Sequence, residues 1–393
     1  MKNQRIYLCL AHMSGNEMKY IQEAFDTNWV VPLGPNVNGF EDDLKNFVGG
    51  HKEVVALCSG TSAVHLALVD AGVSQGDEVI CQSFTFCASS HPVTYLGATP
   101  VFVDSEKESW NMDPDLLEEA IKDRINKTGK KPKAIILVYL YGMPAKICEI
   151  KKIADKYEIP LIEDAAEGLG SRYDDKVCGT FGKYGVFSFN GNKMITTSGG
   201  GALDCPDEET KKRVMFYATQ ARESYPYYQH EKIGYNYRLS NVCAGIGRGQ
   251  MTVLNEHILH HHKIAGIYAD AFEHVEGISF HNNWCDKSDS NFWLSTVTLS
   301  PDFKGEEDAY ATVVTGAVGG AAGMVHQANC AHTSCEPNKN VEAMRVALDK
   351  ANIESRPLWK PMHLQPVYKN VPSYVNGVSE SLFKTGLCLP SGP

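Results

Sequence analysis

One lysine stands in a setting that invites chemistry. The stretch "FSFNGNKMITTSGGGAL", Phe187 to Leu203, sets Lys193 between an aromatic, hydroxyl-rich run and three consecutive glycines, with Ser188 five residues before it. An amine among small and apolar neighbours is pushed toward its neutral form and can attack a carbonyl. The same lysine could instead meet a phosphate beside the glycines, or be a surface charge. Three other stretches bear on the choice. In "CSGTSAVHLAL", Gly60, Thr61 and Ser62 end a strand pattern and open an apolar helix, which aims backbone N–H groups and a helix dipole at an anion. An ordinary Ser/Thr-capped turn reads the same way, and the fuller glycine patterns of nucleotide-binding loops are missing. In "PLIEDAAEGLG" an apolar strand delivers Glu163 and Asp164 to its carboxyl end. A buried Asp needs a cation or donors to stay ionised, and a pyridinium nitrogen, a Mg²⁺ ion or a turn that it caps would each serve. "QSFTFCASS" places Phe84 and Phe86 on one face of a strand end, where an aromatic can stack on a flat ring or pack in the core. A phosphate cradle, a carboxylate for a ring nitrogen and an amine for an aldehyde together match one cofactor, pyridoxal 5′-phosphate.

The elements that must position these groups follow from periodicity. From about Glu53 to Phe189 the β-rich runs "EVVALCSG", "EVICQSFTF", "TPVFVD", "KAIILVYLYG", "PLIEDAA" and "GVFSFNG" alternate with helical patterns. The helices are "TSAVHLALVDAG", "DPDLLEEAIKDRIN" with Asp113 as N-cap, and "AKICEIKKIADKYE". Such alternation predicts an α/β fold with a mostly parallel sheet covered on both faces and ligands at the carboxyl ends of its strands. A long helical pattern, Leu239 to Phe272, leads toward a smaller domain with an exposed hairpin region, "SNFWLSTVTLSP", and a helix, "NKNVEAMRVALDKAN". The Ala- and Gly-rich stretch between them, about 305–336, is too weakly patterned to assign.

Bulk properties exclude several classes. A chain of 393 residues exceeds one core, so a large and a small domain are expected. The net charge of −10 argues against nucleic acid or an anionic membrane as partner. Twelve cysteines with no C-x-x-C pair read as small buried hydrophobes in a reducing compartment. The N-terminus carries no signal-length apolar run and nothing approaches the roughly 20 apolar residues of a membrane span, so the expected location is cytoplasmic. His260, His261 and His262 read as a solvated helical stretch. His326, Cys330, His332 and Cys335 fit no zinc spacing, so no metal is expected.

The order "SGTSAVHLAL", "SFTFCASSHPVTYLGATPVFVD", "IEDAAEGLGSRY", "GTFGKYGVFSFNGNKMITTSGGGAL", "GYNYRLSNVCAGIG" and "ESRPLWKPMHLQP" resembles the sugar-nucleotide aminotransferases of the DegT/DnrJ/EryC1/StrS family. The likeness spans nearly the whole chain and is nearest to the UDP-4-keto-6-deoxy-GlcNAc 4-aminotransferases of the bacillosamine pathway. It implies an aspartate-aminotransferase-like (fold-type I) large domain, residues 1–255, and a smaller C-terminal α+β domain, residues 256–393. It implies that Lys193 carries the cofactor's aldehyde and moves protons, that Asp164 pairs with the ring nitrogen, and that Phe86 stacks on the ring. Thr61, Ser62 and Ser188, beside Gly60, would hold the phosphate. Asn236 would reach the phosphate in a neighbouring subunit, giving a homodimer with shared active sites. Glu167 stands where many relatives carry His or Gln near the cofactor's hydroxyl. Arg238, Arg356 and Lys360 are expected diphosphate partners, with Trp359 and His363 flanking sugar or base.

The implied reaction moves an amino group from glutamate to the C4 ketone of a nucleotide-linked 4-keto-6-deoxy sugar, a UDP-linked N-acetylhexosamine, for surface glycan synthesis. A C3-aminating enzyme, a dehydratase or lyase on the same scaffold, and a non-catalytic regulator are the competing readings. Lysine rather than histidine at position 193 favours amino transfer, since only an amine can hold an aldehyde between turnovers.

Overall fold

The six apolar runs read as strands all become strands. In a computed structural model that describes residues 4–300, 303 and 336–392, they are Glu53–Leu57, Glu78–Gln82, Thr99–Val103, Ala134–Val138, Leu161–Asp164 and Tyr184–Ser188. With Gly201–Cys205 and Ser373–Tyr374 they form an eight-stranded sheet. Across it the order is Glu53–Leu57, Gly201–Cys205, Tyr184–Ser188, Leu161–Asp164, Ala134–Val138, Glu78–Gln82, Thr99–Val103, Ser373–Tyr374. Gly201–Cys205 runs antiparallel to both neighbours and the remaining pairings are parallel. Alternate residues serve opposite faces: Val54 and Ala56 enter one apolar core, Val55 and Leu57 the other. The sheet is therefore buried on both sides.

Register brings the expected site together. Leu57 pairs with Gly201, and Gly201 pairs with Ser188, so the turn after the first strand lies beside the carboxyl end of Tyr184–Ser188. Asp164 pairs with Val186 in the next strand over. The helices Gly60–Asp70, Pro114–Thr128 and Ile147–Tyr157 occupy the predicted stretches. Asp113 caps the second by accepting from the amides of Asp115 at 2.9 Å and Leu116 at 3.3 Å.

Four expectations need correction. The single helix over Leu239 to Phe272 is two, Asn241–Met251 and Leu254–Phe272. The Thr252 hydroxyl takes the Gly249 carbonyl at 2.6 Å, and the Val253 amide, which a continuing helix would aim at that carbonyl, donates to Gln250 instead. The "exposed" hairpin is buried: Ser295–Leu299 is an inner strand of a second, four-stranded sheet with Ile278–Phe280, Gly386–Leu389 and Arg356–Pro357. The histidine stretch is not simply solvated, since His261 is 1% exposed. Of the cysteines, Cys9, Cys81, Cys178, Cys205 and Cys388 are buried as expected, but Cys58 and Cys148 are exposed.

The helix Leu254–Phe272 runs across the expected division at residue 255, and Ser373–Tyr374 returns to the large sheet. Residues 305–335 of the Ala/Gly-rich segment, with His326, Cys330, His332 and Cys335, lie outside the described residues. Among the described residues no helix is long and apolar enough to cross a membrane.

Candidate active site

A cavity of about 380 Å³ opens at the carboxyl ends of the strands, and Lys193, Asp164, Glu167 and Ser188 all line it. Asp164 sits at the end of its strand, 5% exposed. Its Oδ2 accepts from the Ser89 hydroxyl at 2.7 Å and its Oδ1 from the Ala166 amide at 3.1 Å. Burial raises its pKa, opposed by these two donors and by the charge of Lys193. Both hydrogen-bond partners are neutral, so a protonated ring nitrogen in the cavity would supply the cation that burial makes Asp164 lack.

Lys193 lies on the loop between Tyr184–Ser188 and Gly201–Cys205. Its Nζ is 3.2 Å from Glu167 Oε1 and 3.9 Å from the centre of the Trp293 ring. The other Glu167 oxygen accepts the Tyr141 amide at 2.7 Å. Burial pushes the Glu167 carboxyl up to about 6 against the pull of Lys193.

At the opposite wall Gly60 and Thr61, the first residues of their helix, line the cavity with Ser59 and Ser188. First-turn amides have no partner within a helix, and the dipole places its positive end here. The close approach is built from glycines. A Cβ on Gly60 would stand 3.1 Å from Ser188 Cβ, and one on Gly201 would stand 2.3 Å from the Ser59 carbonyl carbon. Phe86, 54% exposed, reaches the cavity and leans on Trp359 with ring centres 5.3 Å apart. Anion cradle, ring-nitrogen partner, flat aromatic and amine stand around one space, and the donor set fits pyridoxal phosphate.

Several expected residues lie elsewhere. Ser62 does not line the cavity: it is 3% exposed, its amide donates to the Ser59 hydroxyl at 3.0 Å, and its own hydroxyl donates back to the Ser59 carbonyl at 2.7 Å. Arg238 is spent on Glu41 at 2.5 Å and the Ala56 carbonyl at 2.8 Å, with its side chain 8% exposed. It ties the helix Pro35–Phe47 to the first strand instead of facing substrate. Arg356 pairs with Glu354 at 2.9 Å. His363 Nδ1 lies 2.6 Å from the Ser83 hydroxyl, and burial lowers its pKa. Of the five expected substrate contacts Trp359 lines the cavity; Arg238, Arg356, Lys360 and His363 do not. Asn236 is exposed on the surface, its side-chain oxygen accepting from Gln220 at 3.1 Å.

The sequence reading passed over Trp293, Ser89 and Ser59. Trp293 was hidden in the run read as an exposed hairpin. Ser89 follows Thr85 by four residues and the two hydroxyls are 2.8 Å apart, a relay to Asp164 that only the backbone path after the strand reveals.

Fold and donor set together define a pyridoxal-phosphate-dependent aminotransferase. The chain belongs to the DegT/DnrJ/EryC1/StrS aminotransferase family, whose model matches residues 11–334 and 320–393. EpsN of Bacillus subtilis (strain 168) is 44% identical over 394 residues, covering 99% of this chain and 92% of that protein. GDP-perosamine synthase of Escherichia coli O157:H7 is 32% identical over 383 residues, covering 97% and 92%. The crystal structure of a DegT DnrJ EryC1 StrS aminotransferase from Brucella abortus superposes with a TM-score of 0.81 at 27% identity, covering 96% of this chain and 90% of that one.

Proposed function

We propose that this sugar aminotransferase moves an amino group from glutamate to the C4 ketone of a nucleotide-linked 4-keto-6-deoxy sugar, with a UDP-linked N-acetylhexosamine as its substrate. The observation that carries the reading is the placement of Lys193 and Asp164 in one cavity, facing a helix N-terminus that Gly201 allows to come close. The 4-keto-6-deoxy assignment is supported by the likeness to a GDP-perosamine synthase over most of both chains and by the "SFNGNK" and "RPLWKPMHLQP" wording.

Pyridoxal phosphate, when bound, supplies an aldehyde that takes up the amino group and a ring that accepts electron density. The protein supplies the rest. Gly60, Thr61 and Ser188, joined by Ser59, would hold the phosphate; Asp164, kept in place by Ser89, would keep the ring nitrogen protonated. Phe86 would cover the ring. Lys193 would anchor the cofactor at rest, and its Nζ, once released, would take the proton from the donor's Cα and later deliver one to the sugar carbon. Glu167, 3.2 Å away, would balance the positive charge of that amine whenever it holds a proton.

The same reading makes the protein a homodimer in the cytoplasm, where nucleotide sugars are built. Asn236 is exposed in a segment that also exposes Tyr227 by 59%, Tyr228 by 78% and Ile233 by 86%, an apolar patch that a second copy would cover. The test is incubation of the purified holoenzyme with glutamate and UDP-, GDP- and dTDP-linked keto sugars, followed by NMR of the product. Amination at C4 of the UDP sugar is expected; amination of 3-keto sugars alone refutes the assignment, and loss of hydroxyl without gain of nitrogen would mean a dehydratase.

A further inference from the structure

The segment that carries Lys193 has no regular backbone pairing of its own, yet both carbonyls that flank the lysine are held by side chains from elsewhere. The Asn192 carbonyl accepts the indole N–H of Trp293 at 2.6 Å. The Met194 carbonyl accepts from His257 Nδ1 at 3.1 Å. Trp293 is itself fixed from behind: the carbonyl of Phe292, just before it, accepts from His261 Nδ1 at 3.0 Å, and its own amide donates to Asn291 Oδ1 at 2.8 Å. Phe292 has φ of 47°, a left-handed conformation that a bulky residue keeps only where its surroundings over-determine it. His262 holds the Ser290 carbonyl of the same loop at 2.7 Å.

His257 and His261 lie four residues apart on one face of the helix Leu254–Phe272, 7% and 1% exposed. An apolar side chain would fill such buried positions with better helix propensity and no polar atom to satisfy. Here each imidazole Nδ1 serves as an N–H donor to a loop carbonyl. The two loops they hold meet at the amine, because the Trp293 ring stands 3.9 Å from Lys193 Nζ.

We propose that His257, His261 and Trp293 are positioning residues, a frame that fixes the Lys193 amine at the cavity wall from both sides of its peptide. This rests on Lys193 being the lysine that anchors the cofactor. The frame acts on how fast and how fully that amine meets the cofactor's aldehyde, and not on sugar affinity.

The test compares wild type, His257→Leu, His257→Asn and Trp293→Phe. Asparagine keeps an N–H close to where Nδ1 stands, leucine has none, and phenylalanine keeps the ring but loses the indole donor. Apoenzyme is mixed with pyridoxal phosphate, quenched with borohydride at intervals, and the labelled peptide is quantified by mass spectrometry; kcat, KM and thermal midpoints are measured alongside. Labelling of Lys193 is expected to slow about tenfold in His257→Leu and Trp293→Phe, with kcat falling in parallel and KM for the sugar nucleotide within about twofold of wild type. His257→Asn should regain most of the wild-type rate. Wild-type labelling rates in both His257→Leu and Trp293→Phe would overturn the frame, as would a His257→Asn protein of wild-type thermal midpoint that labels as slowly as His257→Leu. Should His257→Leu not fold, Trp293→Phe decides alone. Label on a different lysine in wild type would overturn the anchoring role of Lys193 itself, a separate outcome.

Discussion

Gly201→Ala is expected to loosen the cofactor's phosphate end while leaving the fold in place. A Cβ at this position would lie 2.3 Å from the Ser59 carbonyl carbon and 2.4 Å from the Gly60 nitrogen, both backbone atoms that cannot rotate away. Restoring ordinary contact at 3.4 Å requires the turn and the strand to separate by about 1.1 Å, the difference between that distance and 2.3 Å. A displacement near 1 Å at a binding constellation costs up to about a hundredfold, whereas overpacking of this kind costs roughly 1–3 kcal/mol in stability. Pyridoxal phosphate titrated into Gly201→Ala apoenzyme, followed by visible absorbance, should therefore show a Kd raised between about tenfold and a hundredfold. The control stands outside the cavity. A Cβ on Gly266, exposed on the helix Leu254–Phe272, meets nothing within 4 Å, so Gly266→Ala should bind as wild type does. A Gly201→Ala protein with unchanged Kd, or a Gly266→Ala protein equally impaired, refutes the idea that close backbone approach builds the phosphate site.

Three further outcomes are expected. Asp204 is buried in the large sheet with Lys52 at 3.3 Å, and burial raises its carboxyl from 3.8 to about 7. Because the folded pKa is raised, the stabilising contribution is full below about pH 4 and is lost as pH rises to about 7, roughly 4 kcal/mol in all; urea midpoints of Asp204→Asn should lack that fall, and parallel pH profiles for the two proteins would contradict it. Ser62→Ala should lower stability by about 1 kcal/mol through the lost cap while leaving cofactor Kd unchanged; a large loss of affinity would return Ser62 to the phosphate. Arg238→Gln leaves Glu41 buried with Lys211, 3.9 Å away, as its remaining cation and should cost up to roughly 3–5 kcal/mol by chemical denaturation, with little change in sugar-nucleotide KM in the protein that remains folded.

Much of the chemistry was legible because it rides on strand ends. Asp164 and Ser188 terminate apolar runs whose length and β-branched content can be read directly, and a parallel sheet places their carboxyl ends on one side. The capped turn at Gly60 was legible for the same reason. The capping box that Ser62 closes with Ser59 was not legible, because a serine after such a turn suits a phosphate as well as a cap. The partners of Arg238 and His363 were not legible either, because charge and ring chemistry suit a diphosphate or a sugar, whereas the groups they meet, Glu41 and Ser83, come from segments 197 and 280 residues away.

The sequence by itself determined the α/β alternation, the strand that carries Asp164, the lysine that stands before the glycines and, through its wording, the family. These depend on residue type and short-range period, which a single chain displays. Tertiary structure alone decided that Gly201 lies against the Ser59–Gly60 backbone, that Ser89 supports Asp164, and that Trp293 and two histidines of a distant helix surround the Lys193 loop. Those contacts join segments with no sequence period in common, and distances of 2–4 Å between them exist only once the sheets have packed.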